Sequence, residues 1–391
     1  MDSNRIGVTS RGIRTPVIKP GDDLQNIVIS CVEQAIGAEN ICDGDIIGIT
    51  ESVVAISQNN FVTAEDIGAD ITKKFEGATE IAIVDPIQSR NRFINVLKAI
   101  EAIPQFQKIY IVMTYPTDEV GNRLVSEEAI MQSDVNPYKD LLNCEEFYEK
   151  LGVPKHPFTG INYLEEYKKA CKGKAEIILC NDFSKIPEIC ENILVCSIHR
   201  RNITNSILKN NGAKRILDLS GIMNESINGS GYNEEFGLYG TNLMAEGKLK
   251  LMPRNCNEFV QGIKETIKEK YQKNIEVFVY GDGAFKDPVG GIWELADPQT
   301  TIGATSGLAG TPKEVKLKYL ASANSDKTPE EIEAIVAKEK AARKASEDIT
   351  GEAALGTTPR QITDLVASLA DLTTGSGDRQ TPVVYISGYI N

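Results

Sequence analysis

Short apolar, β-branched runs alternate with amphipathic segments through the first 280 residues, and this alternation limits what the chain can fold into. Asp22-Asp23 opens a stretch with Leu24, Ile27, Val28, Cys31 and Val32 on one helical face, with acids where a first turn suits them. Asp43-Gly44-Asp45 then turns into Ile46-Ile47-Gly48-Ile49-Thr50, strand-like in length and branching. Further strands are predicted over 80–84, 108–113, 175–180, 192–197, 215–219 and 276–280, and helices over 64–75, 92–103, 164–171, 203–210 and 257–271. A chain with this alternation must bury several mixed or parallel strands, so an α and β protein is expected.

After Ser306 the pattern changes. Helices are predicted over 313–321, 329–345 and 359–372. Thr328-Pro329-Glu330-Glu331 supplies an N-cap, a proline for the first turn and acids after it. The middle helix has only a thin apolar stripe (Ile332, Ile335, Val336) and reads as an exposed excursion. The run Pro382-Val383-Val384-Tyr385-Ile386 reads as a closing strand that returns to the main sheet. The expected division is a core over 1–305, a helical insertion over 306–372 and a closing segment over 373–391.

Composition excludes several classes of function. Apolar residues are 41% and charged residues 25% of the 391, which argues against disorder or coiled coil for most of the chain. Asp+Glu number 55 against 42 Lys+Arg, a net charge of −13, and an acidic surface repels phosphate backbones, so no nucleic-acid partner is expected. No apolar run approaches the roughly 20 residues that span a bilayer, and the N-terminal residues carry neither a basic flank nor an apolar core. The expectation is a cytoplasmic protein without a membrane partner. The eight cysteines never form C-x-x-C, and buried reduced thiols are the reading preferred over a metal or disulfide framework. With only His156 and His199 present, a His-rich zinc site is excluded. Carboxylates, backbone amides and a bound cation must do most of the chemistry.

The segment from Val279 to Trp293 is the most informative. A strand runs out into Gly281-Asp282-Gly283, a second acid follows at Asp287, and then comes the chain's one tryptophan. Glycines beside Asp282 allow close approach, and a carboxylate at a strand's end suits a hard cation; a tight turn with solvated acids is the alternative. Gly229-Ser230-Gly231, Gly375-Ser376-Gly377-Asp378 and the stretch from Gly237 to Asn242 read as ligand loops or simply turns. None matches a P-loop or dinucleotide fingerprint. Ser89-Arg90-Asn91-Arg92 puts two cations at a helix start, the wrong end for the dipole, where they would clasp an anionic ligand or form a surface ion pair.

The segments Thr15-Pro16-Val17-Ile18-Lys19-Pro20-Gly21-Asp22-Asp23-Leu24 and Asp43-Gly44-Asp45 through Val54, the Asp282 turn, and Thr381-Pro382-Val383-Val384-Tyr385-Ile386-Ser387-Gly388 together resemble the coenzyme F420-0:L-glutamate ligase (gamma-glutamyl ligase) family. That family opens with an apolar dipeptide, Ile-Lys-Pro-Gly-Asp-Asp-Leu, a helix, and an Asp-Gly-Asp strand ending in Thr-Gln. The resemblance is clear over about the first 60 residues and fades in the middle. It implies an α+β fold with mixed sheets and two subdomains, here with an added C-terminal helical excursion. It also implies an intertwined homodimer and a GTP- or ATP-dependent ligase using Mg2+ or Mn2+. Such an enzyme joins an amino acid, L-glutamate in the family, to a small carboxylate through an acyl phosphate. A non-catalytic nucleotide- or metabolite-binding paralogue is the alternative.

Carried over by position, Arg14, Thr15, Pro16, Val17, Glu51, Ser52, Asn242 and Gly283 would bind nucleotide. Asp282 would be the catalytic metal ligand, with Asp287 and Asp378 as further metal ligands, and Arg90 and Arg92 would meet an anionic substrate. The chain departs from the family's pattern at Ala55-Ile56, where the family has Ser-Lys, and at Gly283, where it has Thr. One extra residue also precedes Pro288.

Overall fold

The computed structural model describes residues 6–156, 159–283, 296–312, 314–345, 360–374 and 379–390. Fourteen strands lie among these: β1 (Thr9–Ile13), β2 (Ile46–Thr50), β3 (Phe61–Val62), β4 (Glu80–Val84), β5 (Lys108–Met113), β6 (Leu141–Asn143), β7 (Ala175–Cys180), β8 (Asn192–Val195), β9 (Arg215–Asp218), β10 (Asn242–Leu243), β11 (Leu249–Lys250), β12 (Glu276–Tyr280), β13 (Thr301–Ala304) and β14 (Val383–Ser387). They form a five-stranded sheet ordered β1-β14-β2-β12-β13, a six-stranded sheet ordered β6-β7-β5-β4-β8-β9, and a small sheet β10-β11-β3. The fold is α+β with mixed sheets, as the sequence predicts.

The five-stranded sheet is apolar on both faces, and the period-2 alternation of its strands shows why. Ile47 and Ile49 of β2, Val277 and Val279 of β12, and Val383 and Tyr385 of β14 point to one side. There they meet helices Leu24–Ile36 and Cys256–Tyr271 through Val28, Val32, Val260 and Ile263. Ile46, Phe278, Tyr280, Val384 and Ile386 point to the other side. A sheet with two apolar faces needs a cover on each, and helix Ile362–Thr374 supplies the second through Val366, Ala367 and Ala370. That helix, read from sequence as part of the excursion, therefore packs into the core. Helices Leu317–Ala323 and Pro329–Ala345 remain largely exposed, and Thr328 caps the second reciprocally with Glu331.

The six-stranded sheet lies wholly between β2 and β12 in the chain. Its five parallel strands carry helices on both faces: Ala64–Lys74, Ile94–Glu101 and Tyr163–Ala170 on one, Arg201–Asn210 on the other. Several predicted ends move by one to three residues. The acids Asp22-Asp23 precede the first helix, and the Asp23 side chain caps it by accepting the Asn26 N–H.

The cysteines are free thiols. Cys180 and Cys196 face opposite sides of the six-stranded sheet, so their closeness in sequence brings no cluster. Burial pushes Cys190 up to about 11 and Cys171 and Cys256 up to about 12. Among the described residues no helix is long and apolar enough to cross a membrane.

Candidate functional site

Strand register decides which segments meet. β2 and β12 are parallel neighbours with Thr50 opposite Tyr280, so the residues that follow them, Glu51 and Gly281-Asp282, emerge at one edge of the sheet. β14 runs antiparallel to β2 with Val383 opposite Ile49, and this brings Thr381-Pro382 to the same edge; the Thr50 N–H donates to the Pro382 carbonyl. Ile13 at the end of β1 opposes Val383, which delivers Thr15 and Pro16 there. Thr301 of β13 opposes Tyr280, which brings Ala296 and Asp297. Five distant segments thus line one cleft of about 630 Å³, and Asn91, Arg92 and Asn242 close it from the other subdomain.

Charge is concentrated at the floor. Arg92 spans two carboxylates, with Nη2 2.8 Å from Asp282 Oδ2 and Nη1 2.7 Å from Asp297 Oδ1. Asp297 Oδ2 accepts the Asp282 N–H at 2.9 Å, and Asp282 Oδ2 accepts the Ala296 N–H at 3.1 Å. A Cβ at Gly281 would lie 2.5 Å from Asp297 Oδ2, so glycine there is what admits the Asp297 carboxylate. Below them the buried Glu51 is held by the Lys250 ammonium through both carboxylate oxygens. With three carboxylates against two cations, the cluster has one acid in excess. Burial and the Asp297 charge push Asp282 up to about 7 against the pull of Arg92. Burial likewise raises Glu51 despite Lys250, while the Asp297 and Asp282 carboxylates outweigh burial and raise Arg92 further.

Eight residues singled out from sequence line this cleft: Thr15, Pro16, Val17, Glu51, Ser52, Arg92, Asn242 and Asp282. Arg14 is exposed beside it, and Gly283 is buried with its N–H on Asp371 Oδ2 at 3.0 Å; neither lines the cleft. Of the two arginines expected to meet an anionic substrate or to form an ion pair, Arg92 lines the cleft and Arg90 does not. Arg90 is exposed and outside the cleft, whereas the Arg92 side chain is 15% exposed and committed to Asp282 and Asp297. Nor is this a surface ion pair, because the carboxylate of Asp297 is 1% exposed. Asp287 and Asp378 lie outside the described residues, as do Trp293 and the loop 375–378. Gly231 proves to be a packing glycine, since a Cβ there would meet the Phe61 backbone at 2.6 Å.

Sequence reasoning missed Asp297, Lys250 and Asp371. A charged residue inside Leu249-Lys250-Leu251-Met252 was the available signal for Lys250; nothing near Asp297 marks it. Among the described residues no three His, Cys, Asp or Glu side chains form a ready metal cluster.

The family model described as F420-0:Gamma-glutamyl ligase matches residues 12–388. The chain is also similar to the coenzyme F420:L-glutamate ligase of Methanothermobacter thermautotrophicus (strain Delta H), 33% identical over 63 residues, 16% of this chain and 24% of that protein. The chain therefore spans about a quarter of that curated relative's length. With the family match running through all three sheets, the chain belongs to the F420-0:gamma-glutamyl ligase family.

Proposed function

We propose that the cleft is the active site of a nucleotide-dependent ligase that joins an amino acid, L-glutamate by family, to a small carboxylate. One observation carries the reading: Glu51, Asp282 and Asp297, from three distant segments, converge with Arg92 at the edge that the family's own motifs build. GTP or ATP would supply the phosphoryl group that activates the carboxylate, with Mg2+ or Mn2+ neutralising phosphate charge.

The residues suit those groups. Asp282 and Asp297 offer oxygen donors of the kind a hard divalent cation takes, and the excess carboxylate is charge that such an ion would balance. Arg92 holds the two carboxylates in place. Residues 15–17, Ser52 and Asn242 form the wall assigned to the nucleotide. A homodimer belongs to the same proposal and is checked by light scattering.

The test is glutamate-dependent phosphate release from GTP or ATP across a panel of small carboxylates. Asp282→Asn should reduce it at least a hundredfold, about 2.7 kcal/mol in barrier, while leaving the circular dichroism unchanged. Undiminished turnover in that variant would sink the assignment. The Arg92 bridge between the aspartates also favours a second reading, a paralogue that binds a nucleotide or metabolite without turnover. Nucleotide binding with no phosphate release for any carboxylate would select it.

A further inference from the structure

The six-stranded sheet has a topology that creates ligand sites in open parallel sheets, and the cleft does not use it. β4 has β5 on one side and β8 on the other, all parallel, so the chain winds outward from β4 in both directions. A crevice opens at the carboxyl ends of β4 and β8 in such a sheet. Asp85, the first residue after β4, is 1% exposed with φ 58°, and its Oδ1 accepts from the Thr114 hydroxyl at 3.0 Å. Its Oδ2 has no partner at ordinary hydrogen-bond distance, the Ser197 hydroxyl being the neighbouring donor, and Oε1 and Nε2 of Gln88, which is 4% exposed, have none either. Buried polar atoms without partners are costly and point to something that would pair with them.

Across the crevice, residues 198–200 lead into helix Arg201–Asn210. The N–H groups of Ile198, His199 and Arg200 all donate to the carboxylate of Glu119, at 2.8 Å for Arg200. Arg200 Nη1 lies 4.0 Å from Asp85 Oδ2. Three convergent amides at a helix start form an anion receptor, a side chain of the protein itself fills it, and the Arg200 guanidinium lies on the Asp85 side, over the Phe183 ring. Glu119 sits on the turn closed by the Gly121 N–H on the Asp118 carbonyl. Burial and the nearby Asp85 push it up to about 7, which makes it a weaker anion than a phosphate ester. His199 also walls a cavity of about 370 Å³ whose far side is residues 298–301 with Thr363 and Asp364.

We propose that this crevice is a second ligand site, for a small metabolite carrying both a phosphate-type oxyanion and hydroxyl groups. The oxyanion takes the three amides in place of Glu119, beside Arg200. Hydroxyls of the same molecule donate to Asp85 Oδ2 and pair with the Gln88 amide. The segment 296–301 contributes Ala296 and Asp297 to the cleft and residues 298–301 to this separate cavity. The inference stands apart from the ligase reading.

Calorimetric titration of the full-length protein with ribose 5-phosphate and with inorganic phosphate tests it. Glu119→Gln should bind ribose 5-phosphate at least tenfold more tightly than the wild type, and adding Arg200→Ala should remove that gain. Asp282→Asn should leave the affinity unchanged, and binding lost in that variant would place the ligand in the cleft and overturn the proposal. No binding of either probe by Glu119→Gln would also overturn it. Inorganic phosphate binding as tightly as ribose 5-phosphate would overturn the hydroxyl contacts. Gln88→Leu, which leaves Glu119 and its amides in place, should raise the melting midpoint and weaken ribose 5-phosphate binding; unchanged affinity would contradict the role of Gln88.

Discussion

Lys250 sits on a two-residue strand among leucines, 1% exposed, with its ammonium on both oxygens of Glu51. Removing one member of such a buried pair strands the other charge and costs about 3–5 kcal/mol, whereas replacing both by groups of similar volume is nearly neutral. Lys250→Met should therefore lower urea stability by about 3–5 kcal/mol, and Glu51→Gln combined with it should recover most of the loss. Losses that simply add would show that the pair is not coupled. Asp282 obeys a different rule. Its folded value near 7 lies above the roughly 3.9 of an unfolded aspartate, so between those limits the native state binds more protons. Its contribution to stability is therefore largest below about pH 4, falls as pH rises, and is lost above about 7. Asp282→Asn removes that slope, and its urea stability relative to wild type should rise between pH 5 and pH 8 by about 1–3 kcal/mol. A constant difference across that range would contradict the charge account of the cleft floor.

At the level of elements, β2 shows how packing and site are linked. Gly48 lies on the face toward helix Ile362–Thr374, and a Cβ there would meet the Phe278 ring at 2.6 Å. Gly48→Ala should push that ring off its seat and cost about 1–3 kcal/mol in a chemical denaturation series; a neutral substitution would mean the two strands have room to part. Strands such as β4, β5, β7 and β12 were legible in sequence to the residue because each, after a charged residue at or next to its start, is an apolar run buried on both faces. β3, β10 and β11 are two residues each and take their pairing from one another, and β1, Thr9-Ser10-Arg11-Gly12-Ile13, is half exposed at a sheet edge, so neither set has a pattern of its own. The site follows the same division. Asp282 was visible because it stands between two glycines where a strand runs out, and Glu51 because of its place in the family's motif. Asp297 was not, because only the β12–β13 register returns it to Asp282, and the ion-pair partners of Arg92 could not be named because they lie 190 and 205 residues away.

For the molecule as a whole, the two sheets and helix Ile362–Thr374 form the working body, and the two exposed helices form an appendage. The Ile362 N–H donates to the Gly310 carbonyl at 2.8 Å, so the appendage leaves and re-enters at one point. Replacing residues 312–360 by a short Gly/Ser linker should leave a cooperative protein melting within about 5 °C of the parent, since none of the described residues in that stretch belongs to the apolar core. Loss of cooperative melting would show that the appendage is structural. The central claim, that the cleft takes a nucleotide through Asp282, is met most directly by thermal unfolding with GTP or ATP, each with and without Mg2+ or Mn2+, in wild type and Asp282→Asn. Ligand at about a hundred times its Kd adds roughly 2.7 kcal/mol, a shift of a few degrees. The account predicts a cation-dependent rise with one nucleotide that the variant loses; no rise with any nucleotide, or a rise that survives in Asp282→Asn, would contradict it.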